Sequence, residues 1–290
     1  MYRHRFYRKT MGLGRFRSIT ISEGESDLWI GWNLGKDTLL MNGAPSGAPS
    51  GAHDGDPLAS AVRRLAAEEL RRVRSDILAY GDAHPEFLSS FEPLPLDAAA
   101  PQAVLSMLMA GQAAGVGPMA AVAGAVASAV AGAIAGAAAS AAASALGNTL
   151  QNEFGFEELV IENGGDYWIS VREPLPVQVY AGLSSLSGKV SVIVPPELSP
   201  CGLACSSGTV GPSISFGKAD AALVIAKNAA AADAWATALG NRLHSQNDLA
   251  PAVEALINME HEYPWEEYRP LGALAIMADK LAACGCIRLG

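Results

Sequence analysis

The chain has 290 residues, half of them apolar, and a formal net charge of -9 from 29 acidic against 20 basic residues. That length suffices for a large buried core, and the acidic balance disfavours a protein that binds by neutralising nucleic-acid phosphates. A small anionic ligand is compatible with it, because backbone amides can bind phosphate locally.

Basic residues crowd the N terminus at Arg3, Arg5, Arg8, Lys9, Arg15 and Arg17, and none falls between Arg74 and Arg172. The apolar run that a secretory signal needs does not follow them, and Glu23, Glu25 and Asp27 come soon after. The cluster therefore reads as a charged sheet edge and the chain as cytoplasmic. Arg15 to Ser22 and Asp27 to Trp32 are β-rich runs around a Glu-Gly-Glu-Ser turn and predict a hairpin. Residues 43–56, GAPSGAPSGAHDGD, have little to bury and predict a flexible surface loop. Asp56 then offers a helix N-cap and Pro57 a pre-set first turn, with Leu58, Val62, Leu65, Val73 and Ile77 following at helical spacing. Beyond Pro93 and Pro95, another helical segment starts at Pro101 and stops near Gly115 to Pro118.

From Ala98 to Asn152 there is no charged residue. Val122, Val126, Val130 and Ile134 recur every four residues on a background of alanine and glycine, placing one branched stripe on a helix whose other faces admit close neighbours. A core helix is expected here, not a membrane span: alanine partitions weakly into lipid, Lys/Arg flanks are missing and no second span follows. The Gly-x-x-x-Gly spacings at Gly111/Gly115 and Gly132/Gly136 fit close helix packing. Such helices also pack between subunits, so a homodimer is an expectation of the same pattern.

The C-terminal half changes to β-like runs at Leu159 to Glu162, Tyr167 to Val171, Val177 to Ala181, Val190 to Val194 and Ala221 to Ala226. Helices around Asn228 to Leu239 and Leu249 to Asn258 precede final strands at Ala273 to Met277 and Cys286 to Leu289. Strands and helices in groups, without strict alternation, predict an α+β fold. Cys201 with Cys205 and Cys284 with Cys286 match no common zinc spacing, and with no export signal they are expected to be reduced thiols.

Several familiar motifs fail on inspection. Gly115-Val-Gly-Pro-Met-Ala120 has the dinucleotide-fingerprint spacing but neither a preceding strand nor the later acidic residue. Gly211 to Lys218 approximates a Walker A loop with the wrong glycine spacing and Ala219 in place of the hydroxyl. The histidines His4, His53, His84, His244 and His261 lie outside the glycine-rich segments, and no nucleophile elbow appears.

Three motifs carry chemistry. In Glu162-Asn-Gly-Gly-Asp166, Gly164 and Gly165 let the backbone approach a ligand while Asn163 and Asp166 supply an amide and a carboxylate; alone, it reads sooner as an ordinary hairpin turn. In Cys205-Ser-Ser-Gly-Thr-Val-Gly211, freed amides with Ser206, Ser207, Gly208 and Thr209 suit a phosphate, and Lys218 downstream offers a positive charge; alone, it reads equally as a polar surface loop. In Ala232-Asp-Ala-Trp-Ala-Thr-Ala238, Asp233 and Thr237 are four apart on one helical face and present two hard oxygen donors for magnesium or calcium. Asp233 could equally serve the helix dipole alone.

These motifs, in this order, together with Gly115-Val-Gly-Pro-Met-Ala-Ala-Val-Ala-Gly124, resemble a small branch of the ApbE-like superfamily, a likeness that spans nearly the whole chain. The resemblance implies one T-fold-related α+β domain over 1–290, with internal duplication and antiparallel sheets packed on long Ala/Gly-rich helices. It implies magnesium-dependent transfer of FMN from FAD onto a protein threonine. Magnesium would be held by Asp233, Thr237 and the main-chain carbonyl near Gly117, and the flavin nucleotide by Asn163 to Asp166 and Ser206 to Thr209. The sequence departs from the active relatives at Pro118, where they carry lysine, and at Ala123, where they carry aspartate; their histidine and aspartate-proline segment has no clear counterpart in 213–220. A non-catalytic flavin- or metabolite-binding accessory role, including one in sulfur assimilation into homocysteine, is the alternative that similar proteins suggest.

Overall fold

A computed structural model describes residues 8, 14–34, 56–144, 156–208, 216–260 and 263–290. The loop expected over 43–56 lies outside these residues apart from Asp56, as do Thr209 and His4, His53 and His261.

In chain order the elements are β1 (Arg17–Glu23), β2 (Ser26–Leu34), α1 (Pro57–Ala83), α2 (Pro85–Ser89), α3 (Gln102–Ala114), α4 (Val122–Ser144), β3 (Phe156–Asn163), β4 (Asp166–Ser170), β5 (Leu175–Gln178), β6 (Ser191–Val194), β7 (Cys201–Ser206), β8 (Ala221–Ala226), α5 (Ala229–Asn241), α6 (Leu249–Asn258), β9 (Pro270–Met277) and β10 (Lys280–Gly285). Eight strands form one sheet in the order β1-β2-β3-β4-β7-β8-β9-β10, every neighbour antiparallel. Each half repeats one plan: two paired strands, a helical excursion, then two more paired strands. The excursion closes by pairing β2 with β3 (Ile30 opposite Ile161) in the first half and β8 with β9 (Val224 opposite Ala273) in the second. The halves join where β4 pairs with β7, Trp168 opposite Gly202. This is the α+β fold with internal duplication that the resemblance implies.

Period-two alternation distributes the strand side chains between two cores. Leu28, Ile30, Trp32, Leu159, Ile161, Ala204, Ala222, Val224, Ala273 and Ala275 face the helices. Val160, Ile169, Leu203, Leu223, Ile225, Leu274 and Ile276 pack on the opposite side with Val177, Val192 and Val194 of the small β5–β6 sheet. In the second half the helix-facing side is mostly alanine, which lets α5 approach the sheet closely. At Gly202 a side chain would collide with the backbone of Ala229, the first residue of α5.

Local signals explain most boundaries. Asp56 caps α1, its Oδ1 accepting from the Leu58 amide at 2.9 Å, and Pro57 opens the first turn. Gly115 ends α3 in the left-handed conformation, φ 72°, and Pro118–Ala121 forms a 3-10 turn before α4. One stretch, Pro118–Ala137, is apolar and long enough to cross a membrane. Yet Val126, Val130 and Ile134 are buried, and α4 packs against α1, α5, β3 and β4 as a core helix does.

Three expectations change. The last strand is Lys280–Gly285, ahead of 286–289, where residues instead hydrogen-bond to β6 through the Arg288 carbonyl and Ile193 amide at 2.8 Å. The Val177 run forms its strand earlier, at Leu175–Gln178. Cys205 and Ser206, read as the opening of a loop, end the buried strand β7. The N-terminal arginines do more than protect an edge: Arg15 pairs with the buried Glu158, Arg8 with Asp27 and Glu162, and Arg17 with Asp56. Burial alone would raise the Glu158 carboxyl, but Arg15, the Arg172 amide and Asn33 hold it below its ordinary value.

A methyl group on Gly124 would fall on the Ala229 carbonyl and the Ala230 amide, whereas one on Gly132, in the same helix, meets nothing within 4 Å. Gly124→Ala is therefore expected to cost about 2 kcal/mol or more through overpacking against rigid backbone. Gly132→Ala should be neutral or stabilising by up to about 1 kcal/mol. Denaturant melts of the two variants, which share one chemical change, check this difference.

Candidate functional site

The first turn of α4 is the place where separate motifs meet. Its leading amides have no partner within the helix, and the Gly124 amide donates to Asp233 Oδ2 at 3.0 Å. The Ala123 amide also favours the charged form of Asp233, while the Ala123 carbonyl accepts from Asn163 Nδ2 at 3.2 Å. A carboxylate from α5 and an amide from the end of β3 thus converge on two successive residues of α4. Burial pushes the Asp233 carboxyl up to about 7, against the lowering influence of the Gly124 and Ala123 amides. Among the described residues no ion pair involves it.

Thr237 lies one turn further along α5 on the face that Asp233 occupies and is half-buried. Gly117 caps the 3-10 turn Pro118–Ala121, against which α5 packs. Its carbonyl accepts from the Ala120 amide at 3.1 Å and its amide donates to the Phe91 carbonyl at 2.8 Å. Among the described residues no three His, Cys, Asp or Glu side chains gather, so the donors on offer are hard oxygens: a carboxylate, a hydroxyl and a carbonyl. That donor set, with a half-buried carboxylate that has no ion-pair partner among the described residues, is of the hard-oxygen kind that magnesium takes.

The turn between β3 and β4 needs its glycines: Gly164 and Gly165 take φ of 76° and 108°, in the region that side chains disfavour. The buried Glu162 clamps the turn, Oε1 accepting from the Gly165 amide at 2.8 Å and Oε2 from Arg8 Nε at 2.6 Å. Asp166 then ties the turn to β7, its Oδ1 accepting from the Cys205 amide at 3.3 Å. Ser206 and Ser207 follow, both buried. Gly208 donates its amide to the Ala219 carbonyl at 3.0 Å and leaves no room for a side chain against the Gly217 carbonyl. The Gly-Gly-Asp turn and the Ser-Ser-Gly segment are therefore adjacent, and Asn163 carries the first of them to Asp233.

Two participants were not among the expected site residues: Gly124 and Ala123, present in the sequence reading only as part of the Gly115–Gly124 motif and as a departure from the active relatives, supply backbone atoms at the meeting point. The cysteines stand apart from this chemistry. All four are free, and burial pushes the Cys201 and Cys205 thiols up to about 12, which keeps them protonated and unreactive. His84 stacks on Tyr80 and the His244 amide donates to Asp248, neither near the first turn of α4.

Comparison with known proteins places the chain. A family model described as AbpE bacteria matches residues 8–256. A UPF0280 protein of Methanocella arvoryzae is 39% identical over 76% of this chain and 80% of its own length. Another, from Methanosphaerula palustris, is 42% identical over 62% of this chain and 68% of its own. Among solved structures, a mutant of flavin transferase ApbE from Vibrio cholerae matches over 93% of this chain and 97% of its own, at 12% identity and a TM-score of 0.47. The matching family model makes the chain an ApbE-like protein. More narrowly, the chain belongs to the AbpE bacteria family, whose sequence relatives include the UPF0280 proteins.

The Asp233 carboxyl gives a pH prediction. An acid whose folded pKa is about 7 against an ordinary 3.8 binds more protons folded than unfolded between those values, so stability falls as pH rises through that window, by up to about 4 kcal/mol. Metal-free protein should therefore melt at lower temperature at pH 8 than at pH 5, and Asp233→Asn should flatten the profile. Magnesium at pH 8 should raise the melting temperature of the parent protein and leave that of Asp233→Asn unchanged. Thermal melts across pH, with and without magnesium, measure all three.

Proposed function

We propose that the chain binds a flavin dinucleotide beside a magnesium ion and transfers FMN from it to a protein hydroxyl. The observation that carries this reading is the half-buried Asp233 carboxylate, turned onto the first turn of α4, where Asn163 also bonds, with no ion-pair partner among the described residues. On this reading Asp233, Thr237 and the Gly117 carbonyl hold magnesium. Asn163, Gly164, Gly165, Asp166, Ser206, Ser207 and Gly208 line the nucleotide, with Thr209 continuing the segment outside the described residues. Magnesium, when bound, draws charge from the pyrophosphate and so lowers the barrier to phosphoryl transfer.

The protein's own contribution is positional. The left-handed glycines at 164 and 165 let the backbone of the turn approach a ligand closely, while the Gly165 amide is held by Glu162. The Glu162–Arg8 pair holds that turn rigid. The hydroxyls of Ser206 and Ser207 offer donors beside it. Transfer breaks the pyrophosphate bond, joins the FMN phosphorus to the acceptor oxygen and releases AMP. No lysine or aspartate stands at Pro118 or Ala123, so orientation and the metal carry more of this reaction than side-chain charge does.

Incubating purified protein with FAD, with and without magnesium, and measuring AMP release and bound flavin tests the reading. Magnesium-dependent AMP release that Asp233→Asn reduces at least a hundredfold is the expected result. Tight flavin without AMP release would make the protein a flavin-binding accessory. A parent protein that holds no flavin in either condition would overturn the reading.

A further inference from the structure

Phe91 and Phe216 are 57% and 58% exposed, and among the described residues they are the only phenylalanines left so open. Their rings meet edge to face, centroids 5.3 Å apart, although 125 positions separate them in the chain. The other large apolar side chains exposed on the described surface are leucines at Leu78, Leu88, Leu96, Leu183 and Leu289. An exposed aromatic pair leaves flat apolar faces in water, the arrangement that a planar ring can cover.

The pair is anchored to both halves of the site. The Phe91 carbonyl accepts from the amide of Gly117, the residue offered as a carbonyl ligand, at 2.8 Å. The Phe216 amide donates to Asn241 Oδ1 at 2.9 Å, and its neighbour Gly217 lies against Gly208 on one side and the Gly240 carbonyl on the other. Asp233, Thr237 and Asn241 succeed one another at four-residue intervals along one face of α5, each step rising about 6 Å. The helix face therefore leads from the carboxylate through the hydroxyl to the residue that holds the Phe216 backbone. A nucleotide whose phosphates lay along that face would have its ring directed to the phenylalanines at the far end of it.

We infer that Phe91 and Phe216 form the stacking platform for the planar heteroaromatic ring of a nucleotide whose phosphates lie along α5, an inference that rests on the nucleotide reading of the site. Side-chain rings stack on such systems whichever base they carry, so flavin and adenine ends are both compatible in chemistry, and the ligand arms separate them.

The test titrates FAD, FMN and ADP, in magnesium, against the parent protein, the double variant Phe91→Ala/Phe216→Ala, and Phe216→Tyr. Both residues are exposed, so the variants should fold, and an unchanged thermal shift with magnesium alone would show the metal end intact. The double variant should bind FAD at least tenfold more weakly, with Phe216→Tyr close to the parent. A parallel loss for FMN assigns the platform to the isoalloxazine, and a parallel loss for ADP assigns it to adenine; either supports the inference. FAD binding by the double variant at parental affinity overturns the platform while the site reading stands, all the more if that variant changes its elution volume, which would make the face one of self-association. Failure of the parent to bind any of the three overturns the platform and the site reading together.

Discussion

The crossing of α4 over the start of α5 is the constraint on which the rest depends. Gly124 presses on the Ala229 backbone from one side and Gly202 of β7 presses on the same residue from the other, each at a spacing that no Cβ could share. Helix, helix and sheet are thereby brought closer than ordinary side-chain packing allows. Only at that spacing can a side chain as short as aspartate, one turn into α5, reach the first amides of α4. The hydrogen bond from Gly124 to Asp233 is thus a consequence of missing side chains as much as of the carboxylate itself.

Duplication explains why the partners come from distant parts of the chain. The first repeat contributes Gly117, the first turn of α4 and the Asn163–Asp166 turn; the second contributes the end of β7 and the Asp233 face of α5. Antiparallel pairing of β4 with β7 puts the β3–β4 turn beside the end of β7, where Asp166 meets Cys205. A site built at the joint between repeats takes half of its groups from each, so neither half carries a complete motif that could be read alone.

That division also decides what the sequence could reveal. The stretches with strong local chemistry were legible: the Asp56-Pro57 start of α1, the Val126-Val130-Ile134 stripe of α4 and the alternation of β3, β8 and β9. β7 was not, because Cys-Gly-Leu-Ala-Cys-Ser has no β-branched residue, and its strand conformation comes from pairing with β4 and β8 on both sides. The Asn-Gly-Gly-Asp turn and the Asp-x-x-x-Thr face were legible as chemistry, but their convergence was not. The meeting point is made of backbone amides at Ala123 and Gly124, and backbone carries no residue-type signal. The pairing of Phe91 with Phe216 carries no sequence signal, since 125 positions separate them and only the folded chain makes them neighbours.

Electrostatics at the first turn of α4 bear on what the site is for. A helix N terminus already favours a carboxylate, and the Gly124 and Ala123 amides both favour the charged form of this one, yet burial outweighs them and raises the Asp233 carboxyl. If Asp233 served only to cap α4, an uncharged cap such as asparagine or serine would satisfy the same amides without the burial penalty. Residues at Pro118 and Ala123 supply no charge that could offset it: proline is built into the 3-10 turn, and Ala123 offers only its backbone. On the proposed reading, a cation supplied from outside the chain, magnesium, favours the charged form of that carboxylate. The cost that burial imposes on the Asp233 carboxylate is, on that reading, the same quantity that favours uptake of the ion.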